Sequence, residues 1–182
     1  LLTDSRDILI LGAGAGTSVR QFLYFAPQGL IDAVEIDPKV IEVGRQFFGL
    51  SRNSNLKVFI EDARPYLSQA DKIYDLIEVD TFAGGPFIPF YLSTREFFGL
   101  VRQRLNPGGW MMMNVFTGGG ARKFSDHLGS TVKTVFPSLF ILELEENLLF
   151  LSPREAKSLK GLKTRLASQT RSKLAVVVKY AL

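Results

Sequence analysis

The chain alternates between short apolar runs and segments with helical spacing. Residues 7–12 (Asp-Ile-Leu-Ile-Leu-Gly) form a continuous apolar run that stops at glycine, which predicts a strand buried on both faces. Val19, Phe22 and Leu23 follow at helical spacing, and 31–36 (Ile-Asp-Ala-Val-Glu-Ile) reads as a second strand. Asp37-Pro38 reads as a helix cap followed by proline at the first helical position, with Val40, Ile41, Val43, Gly44 and Phe47 on the buried face. Further strands are predicted over 56–60 and within 71–80, where Tyr74 to Asp80 carries the pattern. Residues 93–105 predict a helix with Phe97, Phe98, Val101 and Leu105 on one side and arginines on the other.

The second half continues the pattern and then changes it. Asn106-Pro-Gly-Gly109 is expected to end the preceding helix in a turn, before a strand over 110–116, a glycine stretch and a helix from about Ala121 to Val135. Residues 139–144 and 148–152 are two strand-like runs separated by Glu145-Glu146-Asn147, an antiparallel hairpin. Strands alternating with helices predict a mainly parallel α/β sheet covered on both faces. There is no internal repeat or low-complexity segment.

Composition narrows the class. The 182 residues, 46% apolar and 22% charged, suit one globular domain with a substantial core. The absence of cysteine removes disulfide frameworks and thiolate metal sites, and a cytoplasmic setting is the simplest expectation. The longest apolar stretches, such as Ile8 to Ala15, fall far short of the roughly 20 residues a membrane helix needs. Residues 151–182 hold eight Lys or Arg against Glu155 alone, so the net charge of +4 is concentrated there. That division predicts an α/β domain over 1–152 and a basic extension over 153–182 that packs on it or trails from it. The extension lacks the aromatic interleaving of a single-strand binder, so a solvated helix face is expected and nucleic acid is not. A glycine-rich loop only a dozen residues in indicates that what usually precedes a first strand is missing, as in a piece of a longer protein.

Candidate chemistry gathers at the strand ends. In Gly12-Ala13-Gly14-Ala15-Gly16 the glycines permit backbone angles closed to other residues and let a ligand approach the main chain. Thr17 stands where a dinucleotide loop wants its third glycine, so the G-x-G-x-G form suits a ligand without a pyrophosphate and disfavours NAD. Glu35 ends the second strand, where its two oxygens can accept from both hydroxyls of a ribose, with Ile36 beside it. Asp62 fits two roles, helix cap or acceptor for an adenine amine, and Ala63 leaves room for the ring. Asp80 ends the fourth strand, where open α/β sheets bind ligands, and precedes an aromatic and glycine-rich loop over 81–91. It can attract a cationic amine and take its proton. His127, the sole histidine, falls in a predicted helix. Histidine catalysis and a histidine-rich metal site are therefore disfavoured, no metal is expected, and no Gly-x-Ser-x-Gly elbow is present.

Taken together, residues 8–16, Val34-Glu-Ile-Asp-Pro38, Glu61-Asp-Ala63, Tyr74 to Asp80 and Leu105-Asn-Pro-Gly-Gly109 resemble the spermidine synthase family of polyamine aminopropyltransferases. The resemblance implies a Rossmann-like, S-adenosylmethionine-dependent methyltransferase-type fold, with a mainly parallel seven-stranded sheet and a C-terminal antiparallel hairpin. It implies transfer of an aminopropyl group from decarboxylated S-adenosylmethionine to putrescine or a related amine, and it leaves a homodimer open. By likeness, Gly12, Ala13, Gly14, Gly16, Glu35, Ile36, Asp62 and Ala63 would hold the adenosyl co-substrate and Asp80 would activate the amine. Two positions depart from the family pattern: alanines occupy the loop where the family has an acid, and Ala83 stands where it has a second aspartate. Two alternatives therefore stay open, a methyltransferase using intact S-adenosylmethionine and a non-catalytic nucleoside-binding module.

Overall fold

The computed structural model describes residues 6–50, 53–85, 87–118, 122–158, 160–161 and 178–180. One sheet organises them, with strands β1 (Asp7–Leu11), β2 (Leu30–Glu35), β3 (Leu56–Ile60), β4 (Tyr74–Val79), β5 (Leu105–Phe116), β6 (Phe140–Glu143), β7 (Asn147–Pro153) and β8 (Val178–Tyr180). Their spatial order is β3-β2-β1-β4-β5-β7-β6-β8. The first five strands run parallel, while β7, β6 and β8 pair antiparallel at the other side. The predicted mainly parallel sheet and terminal hairpin are both present.

Helices α1 (Thr17–Phe25), α2 (Pro38–Phe47), α3 (Ala63–Gln69), α4 (Arg95–Gln103) and α5 (Arg122–Lys133) connect the strands. Alternation along β1 and β4 sends side chains to opposite faces. Leu9, Leu11, Ile77 and Val79 pack with Phe97, Phe98 and Val101 of α4 and with Leu128 and Val132 of α5. Ile8, Ile10 and Leu76 pack with Val19 and Phe22 of α1 and Ile41 of α2. Burial of such side chains contributes about 1.5–3 kcal/mol each, so the two layers fix the strand ends firmly.

The sheet differs from expectation at two places. Asn106 to Gly109 is not a turn but belongs to β5, whose register with β4 slips between Tyr74 and Leu76. The slip is accommodated because Asn106 Nδ2 donates to Asp75 Oδ1 at 2.8 Å and because Gly109 passes so close to Tyr74 that a Cβ would lie 2.9 Å from its carbonyl oxygen. The second difference is an addition at the sheet edge, where β8 pairs with β6 as an eighth strand beside the predicted seven. This strand comes from the basic extension, most of which (162–177) lies outside the described residues, as does the predicted start of α5 at Ala121. Among the described residues no helix is long and apolar enough to cross a membrane.

Candidate active site at the strand switch point

Chain order reverses at β1: β2 and β3 lie to one side, β4 and β5 to the other. The C-terminal ends of β1 and β4 therefore open a crevice, the usual ligand position in such sheets. A cavity of about 620 Å³ lies there, bordered by Gly12, Gly14, Glu35, Ile36, Asp62, Ala63 and Asp80 among others. Seven residues singled out from sequence thus converge on one space. Ala13 and Gly16 are not on that border and instead hold the loop's shape: Ala13 N–H donates to Val34 O at 3.0 Å, and its carbonyl accepts from Gly16 N–H at 3.0 Å.

The loop geometry explains its glycines. Gly12 has φ +84° and sits so close to β4 that a Cβ would lie 2.3 Å from the Asp80 carbonyl oxygen. Gly16, at φ +95°, immediately precedes α1. Glu35 braces this loop: Oε2 accepts from Gly14 N–H at 2.9 Å and Oε1 from Asp37 N–H at 3.0 Å. Each carboxylate oxygen retains a second lone pair, so two ribose hydroxyls can still donate to it. Ile36, 62% exposed, offers an apolar surface next to it.

Asp37 caps α2, accepting from Lys39 N–H at 2.8 Å, as its Asp-Pro context predicts. Asp62 likewise caps α3 through Oδ1, which accepts from Arg64 N–H at 2.8 Å. Its Oδ2 accepts from the Tyr91 hydroxyl at 2.5 Å, a contact that pushes the phenol up to about 12, with burial adding to it. Sequence reasoning missed Tyr91. Its loop was recognised as aromatic, but nothing local tied that hydroxyl to Asp62. Arg64 adds a second tie to the same segment by donating to Tyr91 O at 3.0 Å.

Asp80 N–H donates to Leu11 O at 2.9 Å, which fixes the acid beside the glycine loop. Burial raises its carboxyl above the usual range, and Asn114 Nδ2, donating to Oδ1 at 3.0 Å, opposes that rise. Asn114 and the buried Glu78 were both missed, although each is a polar break in an apolar strand run. Burial pushes Glu78 up to about 7, with the charge of Asp80 as the second cause and a hydrogen bond from Ser18 opposing both. The cavity border carries five acids, Glu35, Asp37, Glu61, Asp62 and Asp80, and no Lys, Arg or His among the described residues. Such a lining favours a cationic ligand and offers phosphate or carboxylate no cationic side chain, only the hydroxyls of Thr81 and Tyr91.

This fold and crevice define a Rossmann-like α/β domain of the methyltransferase type. The spermine/spermidine synthase domain matches residues 1–139, and the chain belongs to that family. It is 35% identical over 137 residues to a probable polyamine aminopropyl transferase of Bifidobacterium longum, covering 75% of this chain and 30% of that protein. It is 31% identical over 157 residues to the human eEF1A lysine and N-terminal methyltransferase, covering 80% of this chain and 22% of that one. The chain thus spans less than a third of the length of either relative. The solved structure of human methyltransferase-like protein 13 in complex with SAH superposes with a TM-score of 0.73 at 27% identity, covering 94% of this chain and 86% of that one.

Proposed function

We propose that this domain transfers an aminopropyl group from decarboxylated S-adenosylmethionine to an amine, putrescine or a related polyamine. The observation that carries this reading is the cavity border: five acids with no described base, at the junction of a glycine loop and a strand-end aspartate. Decarboxylated S-adenosylmethionine is a sulfonium with an ammonium end and no carboxylate, and this lining suits it. Family membership supports the same donor.

Each residue then has a chemical task. Glu35 accepts from the ribose hydroxyls while bracing Gly14, and Ile36 and Ala63 flank the adenine. Asp62 accepts from the adenine amine with the oxygen that Tyr91 also uses. Gly12 and Gly14 let the sulfonium end approach the main chain. The acceptor nitrogen attacks the aminopropyl carbon bonded to sulfur, the carbon–sulfur bond breaks, and its electron pair leaves with methylthioadenosine. Asp80 orients the amine and takes the proton the new secondary ammonium gives up, a task suited by a carboxyl raised by burial.

Methyl transfer from intact S-adenosylmethionine is the second reading. The human methyltransferase relative and the alanines at 15 and 83 favour it. Calorimetric titration with both donors and with methylthioadenosine separates the readings. Tighter binding of the decarboxylated donor than of the intact one is expected, and the reverse order would assign methyl transfer.

A further inference from the structure

Two acids are buried within the sheet, Asp32 and Glu78. The carboxylate of Asp32 is met by Lys72 Nζ and by the Tyr74 hydroxyl, both at 3.0 Å. Glu78 is not met in this way. Its Oε1 accepts one long bond from Ser18 Oγ at 3.3 Å, and its Oε2 is buried with no partner. Buried carboxylate oxygens are ordinarily satisfied, so an orphan at 9% exposure calls for an explanation.

Its position narrows the explanation. Glu78 pairs in register with Ile10 of β1 and Met112 of β5. It precedes Asp80 by two residues, so both project to the same face of the sheet, with about 7 Å between their Cα atoms. Ser18 reaches it from the first turn of α1, and Asn114, two residues beyond Met112, holds Asp80. These four side chains form a polar island in the face otherwise occupied by Ile8, Ile10, Leu76 and Trp110. The island lies next to the glycine loop, whose Ala13 and Ala15 bring no charge of their own.

We propose that Glu78 is a specificity-determining acid of this site, supplying a second counter-charge behind Asp80 so that a donor with a cationic end is selected over a neutral nucleoside of the same shape. The proposal rests on the adenosyl reading above. Asp80 is the charged neighbour that acts on Glu78 among the described residues; Ile10 and Met112, its strand neighbours, and Ser18 carry no charge. With two acids this close and this buried, the empty site retains a proton on Glu78 up to about pH 7. A cation bound at Asp80 offsets the repulsion and draws that proton off to solvent. Binding of the cationic donor is thus coupled to proton release, while binding of a neutral nucleoside is not.

Titration calorimetry on the whole chain at pH 6.5, in buffers of different ionisation enthalpy, tests this with decarboxylated S-adenosylmethionine and methylthioadenosine as ligands. Wild-type protein should release a proton fraction with the first ligand and none with the second. Glu78→Gln should abolish the release and, at pH 8, weaken the cationic donor about tenfold, leaving methylthioadenosine within about twofold. Glu78→Met, similar in size and apolar, should behave the same way, and retained methylthioadenosine binding reports that each variant is folded. Equal losses for both ligands, or release that persists without Glu78, would overturn the inference while leaving the adenosyl site intact. Failure of both ligands to bind wild-type protein would overturn the adenosyl reading and this inference with it.

Discussion

Replacing Gly12 with alanine tests how the glycine loop and Asp80 are joined. The new Cβ would lie 2.3 Å from the Asp80 carbonyl oxygen and 2.8 Å from its carbon, against 3.4 Å or more for ordinary contact. One of the two segments must shift by about 1 Å, and overpacking against backbone costs about 1–3 kcal/mol. The left-handed conformation, φ +84°, adds about 1–2 kcal/mol for any residue with a Cβ. Gly14→Ala is the internal control: its φ is +54°, so it carries the conformational cost, but no atom lies within 4 Å of the added Cβ. Urea unfolding should therefore give a loss of about 2–5 kcal/mol for Gly12→Ala and about 1–2 kcal/mol for Gly14→Ala. Methylthioadenosine binding should fall further in the first variant, because the shift displaces the loop segment that borders the cavity. Equal destabilisation of the two, or full nucleoside affinity in Gly12→Ala, would refute the argument that the loop is shaped against β4.

Three other outcomes follow from the same geometry. Glu35→Ala removes acceptors for two backbone N–H groups and for the ribose, and should weaken methylthioadenosine roughly a hundredfold by calorimetry; an unchanged dissociation constant would exclude the ribose role. Asp80→Asn should lower turnover by about two to three orders of magnitude in a product assay while nucleoside affinity stays within about threefold, and undiminished turnover would move the proton acceptor elsewhere. Stability should fall as pH rises from about 4.5 to 7, because Glu78 ionises near 4.5 when unfolded but near 7 when folded, so the unfolded chain binds fewer protons across that window. Asp80, also raised by burial, acts in the same direction. The Glu78 share is on the order of 3 kcal/mol, and Glu78→Gln should remove most of that slope from unfolding curves taken at successive pH values.

Much of this site is legible in the sequence because local rules agree with the fold. The apolar run before Gly12, the strand ending in Glu35 and the Asp37-Pro38 cap are each set by neighbours within a few residues, and the parallel sheet then brings Gly12, Glu35, Asp62 and Asp80 to one cavity. Asp62 shows the limit. Its cap role is local, whereas its bond from Tyr91 joins residues 29 apart through a loop whose course no periodicity encodes. The sequence is equally silent on Asn114 and Ser18, whose partners lie 34 and 60 residues away. Asn106 to Gly109 carries strong turn signals, yet strand pairing beside Tyr74 overrides them, with Gly109 accepting a close backbone approach. β8 joins the sheet by pairing with β6 in a segment whose charge had suggested a helix face.

The most direct test of the central claim is to identify the nucleoside released when the protein is given both donors together with a polyamine acceptor. Mass spectrometry should detect methylthioadenosine and an acceptor heavier by one aminopropyl group. Release of S-adenosylhomocysteine with a methylated acceptor would contradict the account.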